Sequence, residues 1–317
     1  MLKLNCSGVA CAAIVLATGS SFAAISVDGV RDPDYGSPVA VQTVQTAFGD
    51  ANPNGGSELD AAYATVQGGN LHLLLTGNLE NNFNKLNIFI DSQPGGQNVL
   101  QNDTNNGGNN PPNDGWAFKY AGFTFDSPFA ADYLIITRNG NFGGDRFDID
   151  FATIGGGAGA FLAAGNVFGG TQQGANASAL PNGIGVAFNN SNTAGVTGGT
   201  AAADQLAAAA VTTGLELIIP LSAIGNPGDG DVVLISAMIN GSNHDYLSNQ
   251  FLGGLTPPQG NLGGDGAGGF NGTVGQINLN NFAGDQYFRI VIPEPAILAP
   301  ACLAAVALLR RRAAARR

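Results

Sequence analysis

An all-β sandwich with long Gly- and Asn-rich loops is the fold that this 317-residue sequence predicts, on three observations. First, its apolar segments are short and rich in β-branched or aromatic residues: "LHLLLTG", "LNIFID", "DYLIITR", "FDIDF", "IGVAF", "LELIIPL", "DVVLISAMI" and "YFRIVI". Runs of this kind, bounded by Gly, Asn and Pro, are the mark of strands. Second, Gly (48 residues) and Asn together make up about a quarter of the chain, and both favour turns and left-handed backbone. Third, the cysteines, Cys6, Cys11 and Cys302, lie near the two ends. The residues between them have no disulfide to lean on and must bury a core.

The elements follow in order. Phe147, Ile149 and Phe151 alternate with Asp148 and Asp150, the pattern of a half-exposed strand whose aspartates are solvated. In "GWAFKYAGF" the rings Trp116, Phe118 and Tyr120 alternate. Read as a strand, this places Phe118 in the core and makes Trp116 and Tyr120 candidate ligand-stacking rings. Only "TAAADQLAAAA" reads as helix, with a plain alanine loop as the alternative, and "GDGD" with Asp229 and Asp231 reads as a hairpin turn. Long loops are expected at 95–115, 155–183 and 253–273, with no repeat that suggests a solenoid. "GGDRFD" and "GGDGAG" each break the calcium-binding nonapeptide pattern, at Arg146 and Gly268.

The two ends carry targeting signals. Lys3, the apolar run Val9 to Ala17, and Ser21-Phe22-Ala23 have the layout of a signal peptide cut before Ala24. At the other end, Pro293-Glu294-Pro295 precedes an uncharged run, Ala296 to Leu309, and then Arg310, Arg311 and Arg312. That run is shorter than the roughly 20 residues of a straight membrane span. The arginines belong on the cytoplasmic side, which places the body outside. Residues 1–23 are thus read as signal peptide, 24–289 as one sandwich domain and 290–317 as a sorting segment with an apolar helix.

Pro-Glu-Pro, apolar segment and arginine cluster, in that order, resemble the PEP-CTERM sorting signal of bacteria that make exopolysaccharide. The resemblance implies that an exosortase-type membrane transpeptidase recognises Pro293, Glu294 and Pro295 and removes the tail, with Arg310 to Arg312 as the stop. Pro300 interrupts the apolar segment, which suits a transient substrate better than a lasting anchor. "ISVDGVRDPDYG", "IFIDS" and "LELIIPLSAIG" resemble, in order, phrases of family-nine carbohydrate-binding modules and DOMON-like sandwiches, and imply a jelly-roll or DOMON-like fold. Those modules hold sugar between tryptophans, whereas Trp116 is the single tryptophan here. The wording of the body, as in "NFNKLNIFIDS" and "NGSNHDYLSNQ", resembles exported planctomycete-type proteins.

Residues 24–292 hold 22 of the 23 acidic residues against six basic ones, a net charge of −16. Nucleic acid and anionic lipid are poor partners for such a surface; cations, neutral sugars and a hydrated matrix suit it. Asp28, Asp32 and Asp34, closely spaced on a Pro/Gly turn, are the candidate calcium site. His72 lies inside an apolar strand, and His244 stands near Ser242, Asp245 and Ser248. Closeness in sequence does not make those residues a triad, which is a matter of spatial geometry. Asp145, Asp148 and Asp150 are the carboxylates a glycosidase would draw on. The expectation is a non-catalytic structural or adhesive protein of the cell envelope or exopolysaccharide matrix that binds glycan. The alternative is a secreted hydrolase of polysaccharide.

Overall fold

The computed structural model describes residues 24–51, 55–102, 116–155, 159–166, 173–174 and 181–294. The leader at 1–23, Pro295 and the arginines Arg310 to Arg312 lie outside the described residues. In chain order come β1 (Ala40–Val41), β2 (Glu58–Gln67), β3 (Asn70–Asn78), β4 (Lys85–Asp91) and the short helix α1 (Trp116–Tyr120). Next are β5 (Tyr133–Asn141), β6 (Asp145–Thr153), β7 (Gly159–Asn166), β8 (Gln173–Gly174) and β9 (Gly185–Asn189). Helix α2 (Gln205–Ala210), β10 (Gly214–Pro220), β11 (Val232–Asn240), β12 (Leu247–Leu252) and β13 (Phe288–Val291) complete the order.

The strands form two antiparallel sheets, as the sequence predicts. The first runs β1-β2-β3-β10-β9-β8; the second runs β12-β11-β4-β5-β6-β7, with β13 added along the free half of β11. Period-two alternation places Leu71, Leu73 and Leu75 of β3 and Leu215, Leu217 and Ile219 of β10 in one layer. They pack against Ile88, Ile90, Ile135, Ile149, Val233 and Ile235 of the second sheet.

The second sheet is also buried on its outer face. Phe89, Leu134, Ile136 and Met238 are covered by Leu100, Phe123, Phe125 and Phe129 and by Leu262, Val274 and Ile277. Phe125 meets Phe89 at 4.9 Å and Phe123 at 5.0 Å, both edge to face, the favoured arrangement of aromatic quadrupoles. Segments that read as loops therefore act as a third layer. This is why "LNIFID" and "DVVLISAMI" lack a polar face: a strand covered on both sides reads as a continuous apolar run.

Several expectations change here. Residues 116–120 form a helix rather than a strand, and Phe118 and Tyr120 part company: Phe118 is exposed and Tyr120 is fully buried. The supposed loop 155–183 carries β7 and β8. "GDGD" is a turn, with Gly228 N–H donating to Asp231 Oδ2 at 2.6 Å, but not a hairpin, because β10 and β11 belong to different sheets. The alanine-rich segment is helical as expected, and Asp204 caps it through Leu206 and Ala207 N–H. Among the described residues no helix is long and apolar enough to cross a membrane.

Two glycines set the β2–β3 register. Gly68 and Gly69 close the hairpin with φ of +58° and +79°, as a two-residue turn matched to strand twist requires. Gly77 faces a bulge between Leu59 and Ala61. At its φ of +139° a Cβ would lie 2.1 Å from Glu58 O. Gly77→Ala should therefore lower the unfolding free energy by roughly 2–3 kcal/mol. Gly68→Ala, with nothing within 4 Å, should cost only the left-handed penalty of about 1 kcal/mol. Urea denaturation of the two variants checks the ranking; equal losses would contradict it.

Candidate functional site

Residues that the sequence presents separately meet on the outer face of the second sheet. Because Leu86, Ile88 and Ile90 point into the sandwich, Lys85 and Asn87 must point outward. Strand register then lines up Asn240, Lys85, Arg138 and Asp148 across β11, β4, β5 and β6. One step along, Asn87 and Asp150 flank Ile136.

Arg138 braces this row. Its Nε lies 3.2 Å from Asp148 Oδ2 and its Nη1 2.7 Å from Asp150 Oδ2. Arg146 Nη2 reaches Asp148 Oδ1 at 2.9 Å. Asp148 and Asp150 are thus not solvated as alternation suggests: they are 2% and 0% exposed. The strand period correctly separates the two faces, but the covering layer decides that both are dry. Asp145 enters β6 through its backbone alone, its side chain lying outside the described residues.

Beside the brace sits a neutral network. Asn87 Nδ2 donates to Tyr120 Oη and Asn240 Oδ1, both at 2.8 Å, and Tyr120 Oη donates to Asn240 Oδ1 at 2.9 Å. His244 Nε2 is 3.3 Å from Asn87 Oδ1, and its ring lies 5.4 Å from that of Tyr120. The Lys85 ammonium donates to Ser242 O. Burial, with Lys85, Arg138 and Lys119 adding to it, holds the His244 pKa well below the usual histidine range, so the ring is neutral. His244 adopts φ +52°, a left-handed conformation that turns its side chain inward. Tyr120, His244, Asn87 and Asn240 are fully buried. Their arrangement ties α1 and the β11–β12 turn to the sheet. Trp116 opens α1, and its side chain lies outside the described residues. His72 stands on the outer face of the first sheet, where burial lowers its pKa.

The candidate calcium residues are placed differently. Asp28 Oδ1 accepts Val30 N–H at 2.9 Å, and Asp32 Oδ2 accepts Ser26 N–H at 2.7 Å. Asp34 lies half-buried in the turn Pro33–Tyr35. Among the described residues no group of three or more His, Cys, Asp or Glu is gathered to hold a metal ion. Two of the three aspartates instead shape their own turn, and Glu216 anchors it. Its carboxylate accepts Asp28 N–H, Gly29 N–H and Tyr35 Oη–H, each at 2.8 Å. Burial raises the Glu216 pKa, while these donors pull it back. A glutamate in the middle of the apolar run "LELIIPL" is the signal that would have found it.

A second acidic pair also escaped the sequence reading. Glu58 and Asp60 flank the β2 bulge and are fully buried. Asn192 Nδ2 donates to Glu58 Oε1 at 3.2 Å and to Asp60 Oδ2 at 3.1 Å. Val196 N–H donates to Asp60 Oδ1 at 2.8 Å, and Ala51 N–H to Glu58 Oε2 at 3.0 Å. Burial raises both pKa values, and the Asp60 charge raises that of Glu58 further. Burial thus favours the protonated form at both carboxyls.

Two predictions follow from these carboxylates. Arg138→Leu leaves buried aspartates without their brace and should cost about 3–5 kcal/mol. The same change combined with Asp148→Asn and Asp150→Asn should cost less than Arg138→Leu alone, as read by urea denaturation. For Glu58 and Asp60 the folded state holds protons more tightly than the unfolded chain. Their stabilisation is therefore complete below the ordinary carboxylate range of about pH 4. It is lost as pH rises through the raised folded-state values. Asp91, Asp126, Asp132 and Glu216 are raised by burial too and act in the same direction. The melting temperature should fall from mildly acidic to alkaline pH, and Glu58→Gln should flatten that slope. A profile that rises with pH, or a slope unchanged in the variant, would refute it.

No protein family, curated protein or solved structure matches the chain.

Proposed function

We propose that this is an exported, non-catalytic protein of the cell envelope or exopolysaccharide matrix. An exosortase-type transpeptidase recognises its Pro293-Glu294-Pro295 tail and removes it. The observation that carries the reading is the order Pro-Glu-Pro, apolar run, Arg310 to Arg312. The place where the folded body ends supports it. β13 pairs with β11 from Val291 to Phe288, and Ile292 N–H donates to Asp231 O at 2.9 Å. Ile292 is 3% exposed, whereas Pro293 and Glu294 are exposed. Among the described residues the last buried one, Ile292, thus immediately precedes Pro293 and Glu294, and a protease could reach these two without unfolding the body.

The body suits a hydrated matrix. Its net charge of −16 keeps copies apart in solution. Its two sheets and covering layer hold together without cysteine in residues 24–292. A DOMON-like sandwich presenting glycan-binding loops is the finer form of this reading, with exopolysaccharide as the partner.

Replacing Pro293, Glu294 and Pro295 together by alanine should leave a heavier, uncut form in the membrane fraction of the producing cell. The body should unfold within about 0.5 kcal/mol of wild type, since exposed positions outside the core are changed. Equal mass and fractionation for both proteins would leave a plain anchor in place of a sorting signal.

A further inference from the structure

Three rings from three loops line up at the surface. Phe48 and Tyr246 lie 6.1 Å apart with planes 13° from parallel, and Tyr246 and Phe270 lie 6.5 Å apart at 27°. Phe48 packs on the edge of the sandwich core. Phe48 and Tyr246 are half-buried, and Phe270 is 70% exposed. The strip thus starts at the core and ends in water.

Each loop is held by bonds that do not involve the rings. Asn261 Nδ2 donates to Ala47 O at 2.8 Å, and Ala47 N–H to Asn249 Oδ1 at 3.0 Å. Gly241 N–H closes the β11–β12 turn on Tyr246 O at 2.7 Å. Asp265 Oδ1 accepts Ala267 and Gly269 N–H at 2.9 and 2.7 Å, fixing the turn that leads to Phe270. A Cβ on Gly264 would meet Asn271 Oδ1 at 2.1 Å and Asp245 O at 3.0 Å, so this loop lies directly on the Tyr246 turn. The rings are held by a braced scaffold, and the strip reaches water at Phe270, an exposed aromatic of the kind that marks an interaction surface.

The flanking groups narrow the occupant. Asp245 immediately precedes Tyr246, and Asp265 holds the turn that leads to Phe270. Asp265, held below the usual carboxylate range by the Ala267 and Gly269 N–H groups, is a fixed acceptor. The Lys119 ammonium, which reaches the same loop, is engaged by Gly272 O at 2.9 Å. Near-parallel apolar faces fit the flat C–H faces of sugar rings, and carboxylate acceptors fit their hydroxyl donors. The body's net charge of −16 disfavours a polyanion.

We propose that Phe48, Tyr246 and Phe270 form a binding strip for a neutral polysaccharide, with successive sugar rings stacked along it. The inference rests on the matrix reading only for where such a glycan is met. Affinity electrophoresis of the purified protein in separate gels containing hydroxyethyl cellulose, dextran, galactomannan, alginate or glycol chitosan tests it. Retardation is expected in at least one neutral gel, and it should persist at high salt, where charge attraction is screened. Tyr246→Ala and Phe270→Ala should each weaken it about tenfold, as for a buried aromatic anchor. Phe142→Ala, at an 82% exposed ring on the β5–β6 hairpin, should leave it unchanged. Migration unaffected by all three neutral polymers would overturn the proposal. So would equal retardation of Phe270→Ala and wild type, or binding confined to glycol chitosan and abolished by salt. Tail processing is read separately by mass, so its failure is distinguishable from failure of the strip.

Discussion

The structure depends on one constraint: the second sheet is buried on both faces, although among the described residues there is one partner sheet. The other face is closed by loops, and irregular backbone brings polar groups with it. Burying those groups without partners would cost several kcal/mol each. The asparagines that mark the sequence as turn-rich therefore serve a second purpose. Asn190 both accepts from Leu79 N–H and donates to Leu79 O, stitching the β3–β4 crossing to the segment after β9. Asn98 Nδ2 donates to Phe125 O and Phe129 O within the aromatic cover. Side-chain amides take the place that a third sheet's ladder would hold.

The same constraint explains how an acidic body tolerates buried carboxylates with few cations. Three solutions coexist. Asp148 and Asp150 are clamped by Arg138. Glu216 is satisfied by two backbone N–H groups and a tyrosine hydroxyl. Glu58 and Asp60, both raised by burial, accept from the one Asn192 amide. Only the first uses a basic residue, which is how six basic residues suffice in the body. Two of the three also pin a distant segment: Glu216 holds residues 28–35, and Asp60 holds 192–196.

The β11–β12 turn joins interior to surface. His244, turned inward by its positive φ, docks on Asn87, while Tyr246 two residues later joins the surface strip. A single short connection thus ties the position of the exposed ring to the buried network. The sheet edge closes separately, where β13 pairs with β11 up to Val291 and Ile292 N–H reaches Asp231 O.

By itself the sequence determined the all-β class, eight of the strand segments, a helix within the alanine-rich segment 200–210 and the alternation of Phe147, Ile149 and Phe151. These depend on local periodicity and turn chemistry, which a chain carries in its residue order. It also carried the tail motif, whose three parts are contiguous. Only the tertiary structure decided that residues 116–120 are helical, that Tyr120 is buried and Phe118 exposed, and that Asp148 and Asp150 are dry. It alone brought Phe48, Tyr246 and Phe270 together from loops some two hundred residues apart. The physical reason is common to these cases: period-two alternation distinguishes one face of a strand from the other but says nothing of what covers either. In this protein the cover is built from Gly/Asn loops, whose composition resembles solvent-exposed chain and whose burial depends on distant partners.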